Sequence, residues 1–274
     1  MNYNTMRTLY EENQAGNFYD LLAGEYDQMM DWESRLERES PFFEKIFREY
    51  GIQSLLDIGC GTGRHCFHFE TLGLETVMGA DSSGKAVELA RARAAASGSE
   101  IQFVQASFTD VVNTVSGRFD LVCSLGNSIS HLLIYDDLER AFRNFGRLLS
   151  DRGVILLQCL NWDLRLANRQ RFFPPSSHLT AKSEKLFFRF LDFHDELVTM
   201  NLVIFQQDGS SARKWANRIF STTLRPWRRE IIRMALEDSG FITEREYGGT
   251  DLSEYHPAKS SDYIFIARKA FSTP

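Results

Sequence analysis

Two hydrophobic rhythms alternate along the chain. Short runs that are apolar at nearly every position recur between longer stretches whose apolar residues return every three or four places. Residues 54–58 (SLLDI) are the first such run. They end in Gly59-Cys60-Gly61-Thr62-Gly63, and a helical pattern opens at Arg64, burying Cys66, Phe67 and Phe69 before it stops at Gly73. Residues 75–80 predict a second strand ending at Asp81, and Asp81-Ser82-Ser83 suits the cap of a helix over 84–96. Strands three, four and five fall at 101–106, 119–125 and 154–160. A helix over 136–149 sits between the last two, apolar at 138, 141, 142, 145, 148 and 149. Continuous apolar strands alternating with helices predict a doubly wound α/β fold, its parallel sheet covered on both faces and its ligands at the strands' carboxyl ends.

Past residue 164 the rhythm changes. Residues 185–191, 197–206 and 214–224 have β-type content with no long helix between them, and Asp208-Gly209-Ser210-Ser211 reads as a turn. The expectation is an antiparallel β insertion, 165–225, over the sheet's carboxyl end, serving as a substrate lid or an oligomer contact. Residues 1–164 and 226–274 form the rest. Pro226 starts a helix to Ser239, and 241–248 with 262–268 supply two final strands, an antiparallel pair at the sheet edge.

Composition narrows the ligand more than the fold. A chain of 274 residues with 43% hydrophobic content suits one large domain with an insertion. Its net charge of -6 disfavours nucleic acid as a partner and points to a small molecule. Residues 1–20 have no apolar run and no stretch approaches the roughly 20 apolar residues that cross a bilayer, so a cytoplasmic protein with no membrane partner is expected. The oligomeric state stays open. Cys60, Cys66, Cys123 and Cys159 lie in apolar segments, as reduced thiols do. Cys60, His65, Cys66 and His68 lack the spacing of a zinc site, so no metal is expected. The basic run Arg213, Lys214, Arg218, Arg225, Arg228, Arg229 and Arg233 reads as solvated faces of a strand and a helix.

The glycine loop brings backbone N–H groups to a ligand at a helix start. A dinucleotide fingerprint needs glycine where this chain has Arg64, so a pyrophosphate is disfavoured, whereas Asp81 can accept bonds from ribose hydroxyls. A nucleoside without phosphates fits both. LLDIGCGTGRH, Asp81 and FDLVCSLGNS together resemble the class I S-adenosylmethionine-dependent methyltransferases. SLGNSISHL, LQCLNWD and the leading YDLLAGEYDQMMDW are similar to the glycine/sarcosine N-methyltransferase branch. The resemblance implies a Rossmann-like seven-stranded sheet and S-adenosyl-L-methionine as cofactor. It implies that Gly59, Gly61, Asp81 and Ser82 meet the amino acid end and the ribose, that Ser107 and Phe108 flank the adenine, and that Leu125 floors it. Tyr26, Trp32 and Arg35 match the family's amino-terminal lid, where an arginine holds the cofactor carboxylate.

Methyl transfer from a sulfonium needs mainly alignment and exclusion of water. Asn127, which the resemblance places at the acceptor, is the first candidate to orient a neutral amine through an oxygen that accepts its N–H bonds. His131 is either a general base or a satisfied loop histidine, and Tyr26 either faces the sulfonium or packs. At the end of strand five the glycine enzymes carry a carboxylate-gripping arginine, where this chain has Leu160 before Asn161-Trp162-Asp163. The acceptor is therefore expected to be an amine other than glycine, larger or less anionic, unless Arg165, Arg169 or Arg171 compensates. O-methylation of a hydroxyl or carboxylate and a non-catalytic cofactor-binding scaffold are the rivals.

Overall fold

The computed structural model describes residues 15–180, 183–208 and 215–270. Two helices lead, α1 (Ala15–Met29) and α2 (Trp32–Tyr50). Then β1 (Ser54–Ile58), α3 (Arg64–Thr71), β2 (Thr76–Asp81), α4 (Gly84–Ser97) and β3 (Gln102–Gln105) form the first wound half. The second half is β4 (Phe119–Ser124), α5 (Tyr135–Leu148), β5 (Leu149–Leu160) and α6 (Trp162–Asn168). Four strands follow, β6 (Ser176–Leu179), β7 (Ser183–Phe193), β8 (Val198–Asp208) and β9 (Trp215–Leu224), before α7 (Arg229–Asp238), β10 (Phe241–Tyr247) and β11 (Asp262–Lys269).

Seven strands make one sheet in the order β10-β11-β5-β4-β1-β2-β3. Strands β3, β2, β1, β4 and β5 run parallel, and β11 enters antiparallel between β5 and β10. Order reverses between β1 and β4, so the loops after these two strands face each other and open a crevice. The other four strands form a separate antiparallel sheet, β6-β7-β8-β9. The expected Rossmann-like sheet and antiparallel insertion are both present.

The differences have local causes. Strand β5 begins at Leu149, not 154, because polar Ser150 to Gly153 lie in a bulge: Phe119 pairs with Leu149, but Leu121 already pairs with Val154. Helix α6 and strand β6 were not anticipated; α6 is short and capped by Asn161 Oδ1, which accepts from Leu164 N. Helix α7 starts at Arg229, not Pro226. Trp227 turns into the core and donates Nε1–H to Leu132 O at 2.8 Å, and Asp163 caps the helix from outside by accepting from Arg229 N. In α3 Cys66 and Phe69 are buried as expected, Phe67 is only partly buried, and His65 is buried as well. The 208–211 turn lies mostly outside the described residues.

Helix α1 connects the two sheets. Phe18, Leu22 and Met29 on one side pack against Phe187, Leu202 and Ile204 of the smaller sheet. Asp20 and Asp27, seven residues apart and so on one face, reach the larger sheet's loops. Tyr19 and Tyr26 share the neighbouring face.

Candidate functional site

The loop after β1 is folded over the end of β2: Gly59 N and Cys60 N both donate to Ala80 O, at 2.7 and 3.1 Å. Gly59 has φ 84°, and a Cβ there would lie 2.8 Å from Ser128 Cβ, so glycine lets the loops after β1 and β4 touch. Gly61 N donates to Asp81 Oδ2 at 2.7 Å, and Ser83 N donates to Oδ1 at 2.8 Å. A carboxylate offers about four acceptor directions, which leaves Asp81 capacity for a ligand's hydroxyls. Burial pushes the Asp81 carboxyl above its usual range, against the pull of these two N–H bonds.

Around this loop lies a cavity of about 410 Å³. Gly59, Gly61, Asp81, Ser82, Ser107, Phe108 and Leu125 all line it, as do Tyr26, Trp32 and Arg35. The structure thus gathers every cofactor residue expected from sequence. Ser82 is exposed at the rim. Ser107 N donates to Asp110 Oδ1 at 2.6 Å, and Phe108 meets Phe145 of the core at 6.0 Å between centroids, so its ring serves both cavity wall and core.

Helix α1 closes this cavity. Asp27 accepts from Thr62 Oγ1 at 2.6 Å, Arg64 Nε at 2.9 Å and Arg93 Nη2 at 2.7 Å. Asp20 accepts from Ser83 Oγ at 2.5 Å and from Lys85 N at 3.0 Å, at the start of α4. Arg64, which displaces a third glycine, therefore fastens the lid helix. Arg35 lies over the Trp32 ring at 5.1 Å and donates Nε–H to Glu39 Oε1 at 2.9 Å. Glu39 Oε2 meets His65 Nε2 at 2.8 Å. Trp32 Nε1–H is buried with no partner.

A second cavity of about 230 Å³ adjoins the first. Tyr19, Tyr26, Arg35, Gly126 and His131 line both. Its own walls come from α1, β5, α6, the smaller sheet and β11: among them Asn127, Leu160, Arg165, Phe173, Arg189 and Asp262. All three residues expected to act on the acceptor border it. Tyr26 has no hydrogen-bond partner for its hydroxyl among the described residues, and its ring meets Tyr19 edge-on at 5.9 Å.

Asn127 requires a correction. Its Oδ1 accepts from Ser130 Oγ at 2.9 Å, Leu160 N at 3.2 Å and Trp162 Nε1 at 3.1 Å. Leu160 N and Trp162 Nε1 can only donate, which fixes the amide orientation. The oxygen is consumed by the fold, so the end left for a ligand is the Nδ2 donor, not an acceptor for amine N–H bonds. His131 Nε2 shares a hydrogen bond with Tyr19 OH at 3.0 Å. Burial lowers the His131 pKa to about 4, so the ring is neutral at neutral pH, and burial raises Tyr19 far above the ordinary tyrosine value. Asp262, missed in the sequence, accepts from Gln158 Nε2 at 3.0 Å, and burial raises its pKa. Arg169 and Arg171 turn elsewhere, Arg169 over the Phe193 ring at 5.5 Å and Arg171 to Leu191 O and Asp192.

The cysteine–histidine group is dispersed into other contacts. Cys66 Sγ donates to buried Asp57 at 3.8 Å, His65 is engaged by Glu39, and His68 meets Ser40 at 2.7 Å. Of the basic run, Arg213 and Lys214 lie outside the described residues. Arg218 pairs with Glu25 on α1, and Arg225, Arg228, Arg229 and Arg233 have carboxylate partners. Arg218, Arg228 and Arg233 stay well exposed within these pairs, as expected of solvated faces.

Comparison with known proteins places this site in a class. Residues 55–153 match the family described as a methyltransferase domain. The chain is an S-adenosylmethionine-dependent methyltransferase, similar to those of class I. Within that class it resembles the glycine/sarcosine N-methyltransferase of Aphanothece halophytica, with 25% identity over 266 residues, 94% of this chain and 92% of that one. A crystal structure of an S-adenosylmethionine-dependent methyltransferase from Clostridium acetobutylicum shares the fold, with TM-score 0.73, 15% identity and coverage of 94% and 100%. So does the cofactor-bound structure of an amino pentose methyltransferase from Micromonospora echinaspora, with TM-score 0.69, 17% identity and coverage of 91% and 97%. No helix among the described residues is long and apolar enough to cross a membrane.

The residues present fit S-adenosylmethionine. The larger cavity lies within the roughly 300–1,000 Å³ of small-ligand sites. Asp81 keeps acceptor capacity, and the orphaned Trp32 Nε1–H beside Arg35 offers donors to a carboxylate.

Proposed function

We propose that this chain transfers a methyl group to the nitrogen of a small amine. The observation that carries the reading is the pair of adjoining cavities, with the smaller one bordered by the lid helix and the second sheet. At about 230 Å³ it admits a small molecule and not a macromolecular segment. Names among the relatives support nitrogen as the acceptor, since the Aphanothece enzyme is named for methylating glycine and sarcosine. In this reading Asp81 and the glycine loop hold the nucleoside, and Arg35 with Trp32 holds the cofactor carboxylate. The cofactor supplies an electrophilic methyl when bound. Tyr19, Tyr26, Gly126 and His131 form the opening through which the acceptor nitrogen approaches. Neutral His131 and Tyr19 keep charge out of that opening, and Asp262 receives the proton that the methylated amine sheds. The insertion, 165–225, acts as the wall and lid of the acceptor cavity.

Transfer of labelled methyl from S-adenosylmethionine to a panel of glycine, sarcosine, simple amines, amino sugars and a metabolite extract tests this. A base-stable N-methyl product is expected. A base-labile ester or a methyl ether as the main product would replace it with O-methylation, and cofactor binding with no transfer would make the chain a scaffold.

A further inference from the structure

The smaller cavity contains two guanidinium groups without a carboxylate partner among the described residues, one of them with buried nitrogens that no hydrogen bond satisfies. Arg165, on α6, has its Nε and Nη1 atoms buried with no hydrogen-bond partner. Arg189 lies on β7 between Phe187 and Leu191, which are buried at 1% and 0% exposure, so period-two alternation puts its charge on an otherwise apolar inner face. Among the described residues neither guanidinium reaches a carboxylate within ion-pair distance. Asp262 lines the same cavity but takes its hydrogen bond from Gln158. Both cations lie over the ring of Phe173, 4.3 and 4.9 Å from its centroid, so their central carbons are no more than the sum of these, 9.2 Å, apart. Burial lowers the pKa of each; the Arg189 charge lowers that of Arg165 further while Asp262 raises it, and Arg35 adds a like charge beside Arg189.

Two desolvated like charges gathered at one aromatic ring are costly unless an anion joins them. Arg165 and Arg189 border only the smaller cavity, whereas the groups assigned to the cofactor's carboxylate lie at the shared opening, Arg35, and in the larger cavity, Trp32, so the corner is a separate place. Nor is this the grip implied by the family resemblance, since that position is Leu160 here. We propose that Arg165 and Arg189 form an oxyanion-binding corner, so that the acceptor amine carries a carboxylate or a phosphate that this corner holds. The inference rests on the N-methylation reading and sharpens it. The missing arginine at the end of β5 is then replaced from α6 and the second sheet, and the acceptor remains anionic: of the two alternatives open from sequence, the one in which Arg165 compensates.

Matched pairs test it: glycine against glycinamide, β-alanine against β-alaninamide, and phosphoethanolamine against ethanolamine. The expected result is a higher kcat/KM for the anionic member of at least one pair, the carboxylate or the phosphate pair naming the group. That preference should fall about ten- to hundredfold in Arg165→Met and Arg189→Met, as loss of a charge-assisted pair does. Arg165→Lys should keep part of it, which a mere packing role on Phe173 would not require. Equal rates within every pair would overturn the anionic corner and leave N-methylation standing. Calorimetric titration of the same pairs into S-adenosylhomocysteine-loaded protein reads the corner without turnover. If no amine is methylated, selective binding of anionic members that is lost in Arg165→Met still supports it, and absent or unselective binding overturns it.

Discussion

The two cavities share five residues, yet they are built in opposite ways. The cofactor cleft is assembled mostly from the loops that directly follow β1, β2, β3 and β4, and backbone groups hold its shape: Gly59, Cys60, Gly61 and Ser83 all use main-chain N–H. The smaller cavity collects residues from α1, the loop after β4, β5, α6, the second sheet and β11, with side chains such as Asn127 and Gln158 bonded across it. A backbone-built site tolerates neighbours of many kinds and recurs across a family. A side-chain-built site can change its lining one residue at a time, which is how the proposed anionic corner would arise with Leu160 at the end of β5 and Arg165 on α6.

The widest gap between the two should appear on removing Asp81. Asp81→Ala strips the acceptor for the ribose and frees Gly61 N and Ser83 N, so affinity for S-adenosylhomocysteine, measured by calorimetry, should fall at least about hundredfold. Retained affinity would mean that the loop holds without its carboxylate. Next is Asn127→Ala, which leaves Leu160 N without its buried partner and weakens the anchor of Trp162. Urea unfolding should show a loss of about 2–3 kcal/mol, with S-adenosylhomocysteine binding in the folded protein much less affected.

These two positions also mark what the sequence discloses. Asp81 was legible because the glycine loop, the strand end and the helix cap fall in one continuous stretch. Asn127 borders the smaller cavity, but its hydrogen bonding was not legible, because the donors that consume its oxygen include Leu160 and Trp162, far along the chain. Arg189, Asp262 and Tyr19 carried no local signal, since only tertiary packing brings them together. The α1 latch was readable in principle: Tyr19-Asp20 and Tyr26-Asp27 repeat at seven residues, a spacing that stacks them on one helical side.

The pH response separates the acceptor side further. His131 has a pKa near 4 in the folded protein and an ordinary value near 6.5 when unfolded. Its contribution is complete above pH 6.5 and is lost as pH falls toward 4, because the unfolded chain binds the proton first. Thermal unfolding across that window should show a stability loss of about 1–2 kcal/mol, allowing for the ring's contact with the cavity, and His131→Gln should flatten that slope. An unchanged slope would place the acid sensitivity elsewhere.

The smallest effect belongs to the latch that joins the two regions. Asp27→Ala removes the acceptor of Thr62, Arg64 and Arg93, and S-adenosylhomocysteine should leave about tenfold faster in stopped-flow, with the fold intact. No change in release would mean that α1 does not gate the cleft.

In the proposed reaction the methyl group crosses from the larger cavity to the smaller through the opening lined by Tyr19, Tyr26, Gly126 and His131. A crystal structure with S-adenosylhomocysteine bound tests it most directly. The expected complex has the ribose on Asp81, the adenine between Ser107 and Phe108, the carboxylate at Arg35 and Trp32, and the sulfur facing that opening. A sulfur pointing away from the smaller cavity, toward solvent or the core, would contradict it.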